Sequence, residues 1–505
     1  MELCHKEAKK ESECERRIKE FMKKRRGSFR REDNFEQFEG ELHQLMMAYE
    51  REMVEEELKR YDLNAEEIEV DGELYTKGEK SCETYQTSAG LVQVERHLYQ
   101  AKGKKGKSIC PLELVVGVIG GYFTPQAARQ GAYVMAHLTG GESAEMFREI
   151  GNMRPSRSSL DRLPKELSPH WEEHRVEWEE KLRQKETVPS GSKTMALSVD
   201  GVMAPMRGVK QEEKAKKAQQ AGKHASGPTG YKEVGCGTVT LYDEEAQRLQ
   251  TIRYGRMPEA KKATLAQQLE TEAASILALN PHLQRVHLAD GAHHNWSLLN
   301  EIEQHLPPSD QAPIEIVDFY HACDHLKEGC DAAWGESTVE SKAHFERLKT
   351  LLKEAENGAQ KIIRVLRYQR NKAHGYPHTC LERELTYFTN QRQRMDYPRY
   401  IRLNLPIASG VMEASCKTLV TQRFKRSGMA WTISGGQAIL TVRGLIQSER
   451  WASAWQLLQA DFRKEVKAIQ KQPVLPKNAP FIPVSLRKPT LQRSFHPYAS
   501  LPLAV

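Results

Sequence analysis

Apolar and polar residues alternate through KTMALSVDGVMAPMRG (193–208), YKEVGCGTVTLYD (231–243) and RLQTIRYGRM (248–257), and a period of two predicts three strands. The period then lengthens. EAKKATLAQQLETEAASILALN (259–280) repeats its apolar positions every three to four residues, which predicts a helix. RVHLADG reads as a strand, NWSLLNEIEQHL (295–306) as a helix and IEIVDFYHA (314–322) as a strand. Three strands followed by helix, strand, helix, strand predict a mixed sheet with helices on both faces, because the later strands return by crossover.

That order is the order of the ribonuclease-H-like α/β fold, whose first and fourth strands are neighbours. In open sheets of this kind ligands gather at the carboxyl ends of the parallel strands. Residues 1–80 read as a helical region, with Phe35, Phe38, Leu42, Leu45, Met46 and Tyr49 at helical spacing. TSAGLVQVERHLYQ (87–100) predicts a short strand pair, 102–107 a loop, and 111–137 buried helix. ESAEMFREIGNMRPSRSSLDRLPKEL (142–168) predicts a helix-turn-helix with Arg157 and Arg162 exposed on its second helix, able to enter a DNA major groove; an ordinary helical hairpin has the same pattern. Residues 209–230 predict a mobile loop, and 323–400, helical and charged, an insertion in the sheet domain. A helix follows from near Ser409, its apolar stripe running Met412, Cys416, Leu419, Phe424, with Glu413 in the first turn and off the stripe. The predicted organisation is a mainly helical N-terminal DNA-binding region (1–80, then 81–190 with the helix-turn-helix), a sheet core in two parts (191–322 and 401–460) around an all-helical insertion (323–400), and a basic, Pro-rich tail (461–505), poorly ordered from about 470.

The 505 residues are 39% hydrophobic and 28% charged, which suits a globular chain, and no apolar run reaches the roughly 18 residues of a membrane helix. The charged N-terminus excludes a secretory signal. Nine scattered cysteines without a CxxC pair support neither a disulfide framework nor a zinc ribbon, and a reducing cytoplasm is the expected setting. Net charge is a modest +7, but basic runs recur at 23–31, 102–107, 210–224, 421–428 and from Arg463. Solvation accounts for any one of them; together they point to a polyanionic partner.

Candidate chemistry starts at Asp290, where RVHLADGAHHNW ends an apolar run and is followed by glycine. Asp-Gly is a turn pair, and it is equally a place for a carboxylate at a strand end. Asp200 lies in or just after the first strand, and Glu413 opens the helix after the insertion. With strands one and four adjacent and the last helix packed across them, the three acids can converge. Two Mg²⁺ ions about 3.5–4 Å apart, held by such a cluster, serve phosphodiester chemistry, and Mn²⁺ is a substitute. Without metal the carboxylates repel one another and take up protons. Each acid alone is also an ordinary strand-end or helix-start carboxylate. Lys417, Arg423, Lys425 and Arg426 suit phosphate contacts. Trp296 and Trp431 can each stack an unpaired base or close the core.

LSVDGV, YKEVGCGTV, LADGAHHNW, DFYHACDHL and SGVMEASCKTLVTQRFKRSGMAW together resemble the DDE transposases of bacterial insertion sequences of the Kra type, distant relatives of the Mutator-like transposases. The resemblance covers roughly 87–455, and its last block is the most specific part. It implies an Asp200–Asp290–Glu413 triad holding Mg²⁺, and DNA end cleavage that frees a 3′-hydroxyl for attack on target DNA. It also implies double-stranded DNA partners (terminal inverted repeats and target), and a homodimer or larger assembly that holds two ends. Related families carry D/CxxH after the second aspartate, here Asp318-Phe-Tyr-His321, which implies a site-organising role; His321 can also be a hydrogen-bonded core histidine. His321, Cys323 and His325 alternate at the predicted strand end, as zinc ligands would, with no fourth ligand in sight. The chain departs from relatives in lacking a cysteine-rich ribbon, with only Cys82 and Cys110 near that position, and in its long Lys-rich loop. A domesticated DNA-binding protein and a structure-selective Mg²⁺ nuclease of the same fold are the alternatives.

Overall fold

The structure, a computed structural model, describes residues 11–25, 34–102, 108–151, 153–208 and 230–469, with Lys217 and Gln220 between the last two. Most of the basic runs at 23–31, 102–107 and 210–224, the loop expected at 209–230 and the tail expected from about 470 lie outside the described residues.

Helices α1 (Glu13–Arg25) and α2 (Phe35–Arg60) open the chain, and then strands replace the expected helix. β1 (Glu67–Val70) and β2 (Glu73–Thr87) are joined by Asp71-Gly72, both at positive φ, a pair suited to a tight hairpin turn. The mostly solvent-facing β2 carries little apolar alternation, which is why its sequence reads poorly as strand. The strand pair expected within 87–100 is one strand, β3 (Gly90–Ala101), whose partner is β2 upstream. The tail is not all irregular. β9 (Val466–Ile469) pairs with β1 and completes a sheet of order β3-β2-β1-β9.

The helix expected over 111–137 is two, α3 (Pro111–Val116) and α4 (Pro125–His137), broken after Gly117, whose φ of 78° is a left-handed C-cap. α5 (Gly140–Ile150) and α6 (Arg157–Arg183) form the expected helix, turn and helix, with Ser156 capping α6. α6 runs far past residue 168, through Pro169, because Trp171, Trp178 and Leu182 continue its buried stripe.

The central sheet holds β4 (Thr194–Met206), β5 (Gly230–Tyr242), β6 (Arg248–Arg256), β7 (Gln284–Ala289) and β8 (Ile314–Val317), ordered β6-β5-β4-β7-β8. β6, β5 and β4 are antiparallel; β4, β7 and β8 are parallel. α7 (Ala263–Leu279) connects β6 to β7 and α8 (His293–His305) connects β7 to β8. The fold is therefore mixed α/β with a mixed sheet, in the expected element order. β8 is shorter than expected, because Asp318 caps a helix: its carboxylate accepts from His321 N and starts α9 (Phe319–Trp334). His321, Cys323 and His325 thus lie on a helix rather than a strand end, which removes the geometry of the zinc reading.

Helices α10 (Val339–Glu354), α11 (Gly358–Lys372), α12 (Tyr376–Gln391) and α13 (Tyr397–Arg402) follow. The chain returns through α14 (Gly410–Ser415), a π turn at Cys416–Thr421 and a last turn, α15 (Gln422–Phe424). α16 (Ile433–Gln447) and α17 (Trp451–Phe462) complete it. One core joins the sheet to α7, α8, α9 and the insertion helices. Another joins Ala204, Val234 and Cys236 of the sheet to Met412, Cys416, Leu419 and Phe424.

Candidate active site

β4 and β7 pair in parallel up to Ser198 opposite Leu288. Two residues further on, each strand's path reaches an Asp-Gly pair, Asp200-Gly201 and Asp290-Gly291. A period of two keeps Ser198 with Asp200 and Leu288 with Asp290 on shared faces. The register thus sets Asp200 beside Asp290. Burial holds the Asp200 carboxyl above its ordinary range; the hydrogen bond from Gly201 N (2.7 Å) opposes this, and the charge of Asp290 adds to it. Asp290 Oδ1 accepts from Ala292 N at 2.9 Å and Asn295 Nδ2 at 3.1 Å, the turn that starts α8. Asp290 is thus the turn residue and, beside Asp200, a candidate site carboxylate.

The two glycines serve different needs. A Cβ on Gly201 would lie 1.8 Å from Glu233 Oε1, so the missing side chain leaves room for Glu233 to cross β4 beside Asp200. Glu233 pairs with Lys262 Nζ at 2.8 Å, and Lys262 reaches Asn295 Oδ1 at 3.4 Å. Lys261 and Lys262 both have positive φ, 54° and 53°, a conformation costing about 1–2 kcal/mol per residue. Strain of this kind gathers at functional sites. Gly291 has φ 102°, and a Cβ there would sit 2.9 Å from Tyr387 Cε2. Tyr387 Oη donates to Asp290 O at 3.1 Å, and Gln391 Nε2 donates to Gly291 O at 2.7 Å. These residues stand one turn apart on α12, so one helix of the insertion clamps the peptide after Asp290.

Asp318 ties the remaining pieces together. It is buried; Oδ1 accepts from His321 N at 2.6 Å and Oδ2 from Ser409 N, the residue before α14. Its own N–H donates to Ala289 O at 2.9 Å, and Phe319 N to Ile407 O at 2.9 Å. The end of β7, the start of α9 and the approach to α14 are thereby fixed to one another. His321 stays partly exposed and edge-on to His325, which stacks on Tyr387 at 3.7 Å and bonds Glu384 at 2.6 Å.

Glu413 is exposed on α14, one helical turn before Cys416. The Cys416 thiol donates to Asp200 Oδ2 at 3.5 Å. Its partnership with Cys236, then burial and Asp200, keep it protonated. Residues three apart on a helix have Cβ atoms about 5–6 Å apart, so Glu413 lies one turn from the residue whose thiol touches Asp200. The π turn begins at Cys416, and such turns concentrate at functional sites. The carboxylates of Asp200, Asp290 and Glu413 do not all come within 4.8 Å of one another. Among the described residues Glu328, Cys380 and Glu384 do, and the Arg383 guanidinium bridges both of those carboxylates. Burial pushes the Cys323 thiol up to about 12, which disfavours a zinc thiolate there.

The expected DNA contacts divide. Arg157 and Arg162 are exposed on α6, and Lys417 and Lys425 are exposed around α15. Arg426 is half-buried and paired with Glu142 of α5. Arg423 is not a phosphate contact: only 3% exposed, it donates to Met135 O and is pushed down to about 10 by burial. Its place four residues after Leu419 puts it on the buried stripe. Trp296 is 3% exposed with Arg394 4.4 Å over its ring, so it closes the core and cannot stack a base. Trp431 has Phe424 stacked at 4.3 Å and Arg423 at 5.0 Å, which also occupies its faces. Glu233, Lys262, Tyr387 and Gln391 had gone unmarked. Spacing carries no signal for them, because their roles arise from contacts across elements. A groove of about 620 Å³ opens beside Glu233 and Lys262, lined also by Arg256, Lys261, His293 and His294.

No protein-family model matches the chain, and no curated protein matches it. Among solved structures it is similar to the Drosophila P element transposase strand transfer complex, with 12% identity and a TM-score of 0.25 over 68% of this chain and 81% of that one. A likeness at that score carries no argument about fold or function, and the site's own geometry has to supply one.

Proposed function

We propose that the chain is a metal-dependent DDE transposase with a ribonuclease-H-like core. One observation carries the reading. Asp200 and Asp290 stand side by side where the parallel pairing of β4 with β7 ends, under a helix pinned to them by Cys416 and by Asp318.

The donors suit Mg²⁺ or Mn²⁺. Carboxylate oxygens are hard ligands, and the raised Asp200 is a half-buried charge that a cation relieves. Asp200 and Asp290 would hold the metal, with Glu413 closing from α14. When bound, it supplies Lewis-acid stabilisation of charge on the phosphate oxygens. The chain's residues do the positioning. Tyr387 and Gln391 fix the Asp290-Gly291 peptide, Asp318 fixes the start of α14, and Lys262 offsets negative charge beside Asp200. The 81–190 region, through Arg157 and Arg162, and Lys417 with Lys425 near Glu413, would hold double-stranded DNA. Two chains would bring two element ends together.

The test incubates the full chain with duplexes bearing the element's terminal repeats and Mg²⁺, wild type beside Glu413→Gln. The wild type should nick at the end and join it to target DNA, while the variant binds without cutting. Cutting without joining would make the chain a nuclease, and equal cutting by both would remove Glu413 from the chemistry.

A further inference from the structure

We propose that the exposed face of α11 is a second docking surface, built for the phosphate backbone of duplex DNA; this rests on the reading above. α11 (GAQKIIRVLRYQRNK) contains five cations and no acid. Its buried face is Ala359, Ile362, Ile363 and Leu366. Lys361, Arg364, Arg367, Tyr368 and Lys372 are exposed on the opposite side. Among the described residues the helix makes one ion pair, Arg370 with Glu382 at 2.6 Å, and the other four cations have none. From Lys361 to Lys372 the stripe spans about 16 Å at 1.5 Å per residue.

Like charges three or four residues apart destabilise a helix by a few tenths of a kcal/mol per pair. A helix that keeps such pairs with no acid between them has a standing use for an external polyanion. The aromatic content fits a polar strand: Lys372 Nζ lies 4.1 Å over the Tyr368 ring, and Tyr376, at the start of α12, is 81% exposed.

Position links the stripe to the candidate site. α11 and α12 are joined by only three residues, Ala373 to Gly375, so they run antiparallel. The start of α11 therefore lies beside the end of α12, the end that carries Tyr387 and Gln391 and grips the Asp290 loop. The cations run outward from that level, where a duplex seated at Asp200 and Asp290 would continue.

The test is the salt dependence of binding of the full chain to a 40-base-pair duplex, by fluorescence anisotropy, for wild type, Lys361→Gln/Arg364→Gln/Arg367→Gln, and Arg364→Gln alone. Each phosphate contact contributes about 0.9 to the slope of log K against log salt. The triple variant should flatten the slope by about 2.7 and the single by about 0.9. Binding with an unchanged slope in the triple variant overturns this inference and leaves the transposase reading intact. No duplex binding by the wild type overturns both. Retained duplex binding with lost binding to phosphatidylserine vesicles would reassign the face to membranes and overturn it. The single variant keeps the test valid should the triple fail to fold.

Discussion

Gly291→Ala probes how tightly the insertion holds the candidate carboxylate. At φ 102° an alanine pays backbone strain of about 1–3 kcal/mol. Its Cβ would also sit 2.9 Å from Tyr387 Cε2 and 3.2 Å from Tyr387 Oη, so the ring has to leave. That breaks the 3.1 Å bond to Asp290 O, worth about 1 kcal/mol. The sum is about 2–4 kcal/mol. In a Tyr387→Ala background the collision and the bond are already gone, and Gly291→Ala should cost only the backbone part. The cycle therefore predicts a coupling of about 1 kcal/mol or more, measured as the shift in urea midpoint multiplied by the slope. Additivity within about 0.3–0.5 kcal/mol would mean that the two residues are independent, and the clamp argument would fail.

Arg450 is 4% exposed and bonds Glu272 at 2.7 and 2.9 Å and Glu186 at 2.7 Å, with Glu272 itself 2% exposed. Arg450→Met strands a buried carboxylate and should cost about 3–5 kcal/mol by thermal or urea unfolding; a loss under 1 kcal/mol would deny the network its role. Asp200 is raised above its ordinary value of 3.8, so its neutral form favours the metal-free fold, fully below that value, and this contribution is lost as pH rises through the folded value. Asp200→Asn should accordingly melt higher than wild type at pH 7 in EDTA, with the gap closing as pH falls to 3.8; a gap that is absent or reversed contradicts the burial argument. Arg423→Gln should lower stability and leave the salt slope of DNA binding unchanged, whereas Lys425→Gln should flatten that slope by about 0.9 and leave stability alone. The opposite pattern would restore Arg423 as a phosphate contact.

The sheet was legible because its strands carry period-two patterns that burial on one or both faces enforces. β4, β5, β6 and β7 therefore fall within a few residues of expectation. β1 and β2 were not, since the mostly exposed β2 needs no apolar alternation. β8 ended early because the side chain of Asp318 caps a helix, an effect periodicity does not carry. Of the proposed triad, the pairing of Asp200 with Asp290 follows from a strand order legible in the sequence, and the exposed first-turn position of Glu413 from its place off the apolar stripe. Arg423 and Trp296 were misread because residue type was weighed above position: both stand on buried faces of their helices. Tyr387, Gln391, Glu233 and Lys262 depend on contacts between segments far apart in the chain, and nothing local marks them.

The most direct measurement is Mn²⁺ binding to the full chain, followed by electron paramagnetic resonance, for wild type, Asp200→Asn, Asp290→Asn and Glu413→Gln. The account predicts a tight site in the wild type that both aspartate variants lose and Glu413→Gln weakens. Equal binding by all four proteins, or loss of binding only in a fifth protein, the variant Glu384→Gln, would contradict it.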